Sequence, residues 1–103
     1  MVILSVLYPA SAGAKFDQAY YDATHIPLVK EAFTPTGLTG VQVLKGLSAP
    51  DGGPAPFAVI VNLTFRDAEA LGASMGGPRA AEVMGDVANF TDIVPVAQVS
   101  ALG

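Results

Sequence analysis

Apolar positions change their spacing four times along this chain. Val2 to Tyr8 is an almost unbroken apolar run, rich in β-branched residues, with Ser5 its one polar interior position and Pro9 closing it. It reads as a strand covered on both faces. Small residues follow to Ala14. From Asp17 the period lengthens: Tyr21, His25 and Leu28 fall at i, i+4 and i+7 on one helical face, and Phe16, Tyr20 and Thr24 mark an adjacent one. Asp17 has the position and the carboxylate of an N-cap. Pro27 disfavours the α region for Ile26, so the spacing predicts a break just after His25 and a second segment opening at Pro27 and reaching about Phe33. Thr34-Pro35-Thr36-Gly37 then stops the helix.

Gly40 to Lys45 alternates again, with Val41 and Val43 on one face and Gln42 and Leu44 on the other. The Gly- and Pro-dense stretch Gly46–Pro56 reads as a long exposed connection, since no helix start follows it to make a phosphate cradle. Phe57 to Phe65 is the strongest strand: Phe57, Val59, Val61, Leu63 and Phe65 alternate with Ala58, Ile60, Asn62 and Thr64. Asp67 caps a helix carrying Ala68, Leu71 and Met75. Gly76-Gly77-Pro78 interrupts it, and a further piece brings Ala81, Val83 and Met84 as its apolar positions. Ile93 to Val99 is the last strand, with Pro95 confined to a bulge or an end.

The order β-α-β, loop, β-α-β predicts a single α+β domain over residues 1–103, ferredoxin-like, with a four-stranded antiparallel sheet and both helices on one face. Yet Ile3 and Leu7 lie opposite Val2, Leu4 and Val6, and Ile60 lies opposite Val59 and Val61. Two-sided apolarity needs a cover, and a second copy of the chain is the economical one: two sheets face to face, a homodimeric α+β barrel.

Composition narrows the chemistry. The chain is 51% hydrophobic and only 14% charged, and its five cations (Lys15, Lys30, Lys45, Arg66, Arg79) are scattered against a net charge of −4. Nucleic acid and anionic membranes need clustered Lys and Arg, so neither is an expected partner. There is no cysteine and one histidine, which removes disulfides, thiolate chemistry and a zinc set within one chain. No apolar run approaches the roughly 20 residues of a membrane span, and the N-terminal run lacks the positive start of a signal peptide; a cytoplasmic protein is expected. No metal or cofactor is called for.

The best candidate for chemistry is His25. A histidine at a helix break with an aromatic hydroxyl one turn back, Tyr21, suits general acid–base work near neutral pH, while the bland role is capping the carbonyls at a helix end. Tyr20 and Tyr21 are adjacent and point apart, and Tyr21 shares the face of His25. Asp22, three residues before His25, is a candidate to orient the imidazole. Ser5, Asn62 and Gln98 interrupt apolar strands and need partners when buried. Tyr8, Tyr20, Asn62, Phe65 and Phe90 complete the candidate pocket for a small, largely apolar, aromatic or carbonyl-bearing molecule.

The opening strand Leu4-Ser5-Val6-Leu7-Tyr8-Pro9, then Phe16-Asp17, Tyr20-Tyr21, His25 with Pro27-Leu28, and late Asn89-Phe90-Thr91-Asp92 resemble the EthD family of dimeric α+β-barrel proteins. The resemblance covers nearly the whole chain. It implies the ferredoxin-like fold and the homodimer, and it supports His25 as the functional position. The family takes its name from an ether-degradation gene cluster, where its member is auxiliary. Similar domains act in aromatic polyketide tailoring as cofactor-free dehydratases, decarboxylases or cyclases, and related barrels include isomerases and monooxygenases. Two classes therefore stay open: a cofactor-independent enzyme in catabolism or polyketide-type metabolism, or a non-catalytic ligand-binding or accessory protein of an oxygenase system.

Overall fold

Four strands and two helical segments are built in the order the spacing predicts. The computed structural model describes residues 1–102, so Gly103, the last residue of the expected domain, lies outside it. Strands β1 (Val2–Pro9), β2 (Leu38–Lys45), β3 (Phe57–Phe65) and β4 (Val96–Ala101) form one sheet in the order β2-β3-β1-β4, with all neighbours antiparallel. This is the expected ferredoxin-like sheet. Residues Gly46–Pro56 join β2 to β3 as an exposed loop. Pro95 sits just before β4, the end position expected of it. The last strand starts later than the predicted Ile93 because Pro95 has no N–H to give to a ladder.

Register sorts the two faces. Val2, Leu4, Val6 and Tyr8 pair with Phe65, Leu63, Val61 and Val59 on β3, and all face the helices. Val59, Val61, Leu63 and Phe65 are buried there, and Phe65 stands 6.3 Å from Phe33. The opposite face carries Ile3, Leu7, Ile60, Leu44 and Val96 around a polar row. In that row Ser5 Oγ donates to Asn62 Oδ1 (2.7 Å), and Asn62 Nδ2 donates to Gln42 Oε1 (3.2 Å).

On the helical side the chain runs through α1 (Gln18–Tyr20), a π turn (Tyr21–His25), α2 (Ile26–Phe33), α3 (Ala68–Met75) and α4 (Ala80–Asp86). Asp17 and Asp67 are the N-caps: their carboxylates accept from the N–H of Tyr20 (3.0 Å) and of Ala70 (2.8 Å). The break expected at Pro27 is absent. Ile26 keeps helical angles (φ −64°, ψ −44°), and its N–H bonds the Tyr21 carbonyl five residues back. The wide turn accommodates a proline, which has no N–H and would crowd the carbonyl four residues back in a regular helix. It also adds a residue to the turn. The inward face beyond His25 therefore falls on Ile26, Val29 and Phe33, and Leu28, expected on the face of His25, is only half-buried.

Gly37 ends the helical run in the left-handed region (φ 112°), with Ala70 packed where a side chain would lie. In α4 the buried positions are Ala80 and Val83; Ala81 and Met84, expected as apolar positions, are exposed.

Candidate functional site

The start of α1 is tied to the turn that follows α4. The N–H of Asp17 bonds the Phe90 carbonyl at 2.7 Å, Phe16 bridges to Thr91, and the Lys15 N–H reaches Asp92 Oδ1 at 2.9 Å. This clamp lays the π turn beside α4, and residues 61 apart in sequence meet: His25 Nδ1 lies 2.9 Å from Asp86 Oδ2. His25 is 4% exposed, and the Asp86 side chain 10%.

Asp86 takes two further donors on its other oxygen, Tyr20 Oη at 2.6 Å and Asn89 Nδ2 at 3.0 Å. Burial pulls its carboxyl pKa upward, but hydrogen bonds from Tyr20, Asn89 and His25 together hold it below the usual carboxylate range. The same bond raises the Tyr20 phenol pKa. A carboxylate so well supplied with donors stays ionised and accepts from Nδ1–H, and in the neutral ring that bond fixes the tautomer that leaves Nε2 with a lone pair.

His25 borders an apolar cavity of about 390 Å³ between the helices and the sheet. Leu4 and Val6 of β1, Val61 and Leu63 of β3, and Val83 of α4 form walls, and the exposed Met84 and Ala97 flank it toward solvent. Among the described residues, Tyr8, Tyr21 and His25 are the only lining residues with polar side-chain groups other than a methionine sulfur. Tyr21 stacks on His25 (centroids 5.4 Å apart, planes 23°) and is fully buried, and its hydroxyl has no hydrogen-bond partner among the described residues. Burial raises the phenol pKa of both tyrosines, that of Tyr8 to about 12.

The structure therefore brings Tyr8, Tyr21 and His25 together at one cavity. Phe90 supports them without lining it: its ring lies 4.6 Å from His25, 5.0 Å from Tyr21 and 5.9 Å from Tyr8. Tyr20 does not line the cavity; it reaches the site through Asp86 and through its stacking on Phe90. Phe65 packs in the core against Phe33 and does not line the cavity, and Asn62 lies on the opposite sheet face with Ser5 and Gln42. Its strand parity put it there, since it alternates with Val61 and Leu63.

Asp22 does not orient the imidazole. It is exposed, with Lys45 Nζ at 2.9 Å, and that bond holds its carboxyl pKa below the ordinary range. Asp86 has that place, and sequence reasoning missed it. One signal was present: an acid in the last turn of a helix opposes the helix dipole, and a local rule broken in this way often marks a site. Among the described residues no cluster of three or more His, Asp or Glu side chains is placed to hold a metal, and no helix is long and apolar enough to cross a membrane.

Residues 13–93 match the family described as EthD domain. The fold superposes on an EthD-like protein from Ralstonia eutropha JMP134 with a TM-score of 0.87 and 38% identity, covering 96% of this chain and 88% of that one. An ethyl tert-butyl ether d (EthD) family protein from Bacillus halodurans C-125 gives 0.81 and 23%, covering 100% and 99%. The cofactor-independent oxygenase SnoaB from Streptomyces nogalater shares the fold at 0.66 and 9% identity, covering 98% and 90%. No curated protein matches the sequence.

Proposed function

Because the chain belongs to the EthD domain family, we propose that it performs cofactor-independent acid–base chemistry on a small apolar molecule held in the cavity beside His25. The observation that carries this reading is the division of labour on one imidazole. Nδ1 is engaged by a partly buried carboxylate, and the ring lines an apolar cavity large enough for a ligand. That is the arrangement of a general base with its positioning residue. His25 Nε2 removes a proton from carbon or oxygen of the bound molecule and returns it later in the cycle. Asp86 stabilises the imidazolium formed between the two steps, and Tyr20 and Asn89 keep Asp86 ionised and in place.

The tyrosine hydroxyls supply donors to an oxygen on which negative charge develops, and walls of Val and Leu exclude the water that would weaken those bonds. Proton transfer and shape suffice for dehydration, ring closure, isomerisation, or activation of an electron-rich substrate toward oxygen. The cofactor-independent description of SnoaB agrees with such chemistry on this fold.

His25→Gln tests the reading. It keeps bulk and a hydrogen-bonding group but removes the titrating nitrogen, so ligand binding persists while turnover falls by at least about 10²-fold. Retained turnover would reduce His25 to a structural side chain, and ligand binding without any turnover by the native protein would leave a ligand-binding or accessory role.

The assembly we propose is a homodimer through the sheet face away from the helices, supported by the half-buried Ile3, Leu7 and Ile60 and the exposed Leu44 and Val96 on that face.

A further inference from the structure

We infer that the cavity selects an uncharged ring compound bearing a phenolic or enolic hydroxyl, held by an O–H···Nε2 bond to His25. The inference deepens the acid–base reading and rests on it. Three observations carry it. First, the cavity offers no compensation for a charged ligand: among the described residues no Lys, Arg, Asp or Glu side chain lines it, and the one ionisable base, His25, already faces the Asp86 carboxylate through Nδ1. A carboxylate or phosphate drawn into these walls would lose its hydration without gaining a cation, and an ammonium would meet no anion.

Second, in the neutral ring the tautomer set by Asp86 makes Nε2 an acceptor, so the ligand atom facing it must carry a hydrogen. A ketone, ester or ether oxygen would meet Nε2 lone pair to lone pair. Third, a tyrosine hydroxyl stands in the wall without a partner: Tyr21 is fully buried and its Oη is unbonded among the described residues. A buried hydroxyl is ordinarily satisfied, and an unbonded one on a residue that lines the cavity leaves a donor for a polar atom that the ligand brings. A single hydroxyl oxygen answers both needs, donating to Nε2 while accepting from a tyrosine O–H. Burial raises the pKa of both tyrosine phenols, which keeps them donors. The rest of the ligand is apolar and limited in size: about 390 Å³ equals roughly a dozen waters of liquid, enough for two fused rings.

Three probes of one shape separate the possibilities: 2-naphthol, 2-methoxynaphthalene and 2-naphthoate. Each is titrated into the full chain while the ring resonances of His25, the only histidine, are followed by NMR. The expected result is a His25-linked affinity for 2-naphthol about tenfold or more above that for either of the others, the scale of one buried hydrogen bond. Tyr21→Phe, which keeps the ring and hence the packing, lowers the naphthol affinity several-fold. Equal or tighter binding of the methyl ether or the carboxylate would overturn the hydroxyl inference and leave the acid–base reading standing. Failure of all three probes to perturb His25 would overturn the reading of the cavity itself, and this inference with it.

Discussion

Removing the Asp86 carboxylate should cost stability in an amount set by what it leaves behind. Asp86→Ala strips the acceptor from three donors. Two of them, Tyr20 and Asn89, are half-buried and exposed and regain water, so they weigh little. The third, His25 Nδ1–H, is only 4% exposed and keeps no partner, and an unsatisfied buried donor costs about 1–3 kcal/mol. Against this, losing an anion from the C-terminal turn of α4 returns about 0.3–1 kcal/mol from the helix dipole. The net is a destabilisation of about 1–2 kcal/mol, or a fall in Tm of roughly 5–15 °C for a domain of this size.

Asp86→Asn, which keeps volume and an oxygen acceptor, should cost less but alter the acid limb. Because the folded-state pKa of Asp86 is depressed, its stabilisation is fully present above the unfolded carboxylate pKa of about 4. It is lost as pH falls through the lower folded value. Urea unfolding of the native protein and both variants from neutral pH down to about pH 3 reads both effects. The Asn variant should show a shallower loss on acidification. An Asp86→Ala variant within about 0.5 kcal/mol of the native protein, with unchanged His25 ring signals, would refute the His25–Asp86 bond as the organising contact of the site.

Phe90 touches five other aromatic rings, His25 among them, at centroid distances of 4.6 to 6.5 Å. Phe90→Ala should cost about 3–5 kcal/mol as a buried aromatic truncation, read by calorimetry, and a loss below about 1 kcal/mol would mean the cluster collapses onto the gap. All three tyrosines have raised pKa values, and a folded phenol raised above its unfolded pKa of about 10 stabilises below that value and ceases to as pH rises through the folded one. Tyr8 and Tyr21, raised by burial, should therefore form tyrosinate only with unfolding, while Tyr20 is raised chiefly by its bond to Asp86; three tyrosinates appearing together near pH 10 in the folded protein would contradict the burial of Tyr8 and Tyr21. Ile60→Asp, on the face away from the helices, should turn a dimer into a monomer in sedimentation at micromolar concentration, and a native protein that already sediments as a monomer would remove the proposed interface.

The local grammar of this chain was legible in the sequence, because it rests on near neighbours. Strand alternation from Phe57 to Phe65 gave the core face of β3, Asp17 and Asp67 announced their helices, and the β-α-β order left one sheet topology. The same alternation put Asn62 on the far face, against its candidacy for the pocket. Tertiary structure decided what depends on distance. Pro27 reads locally as a break, yet the π turn around His25 carries the helix through it and moves the inward face to Ile26, Val29 and Phe33. No spacing rule links His25 to Asp86; their contact exists because the clamp between residues 15–17 and 90–92 lays two helices side by side. Asp22, near in sequence, lost that role to Asp86, far in sequence, because orienting an imidazole takes a carboxylate 2.9 Å away, and only packing decides which one is.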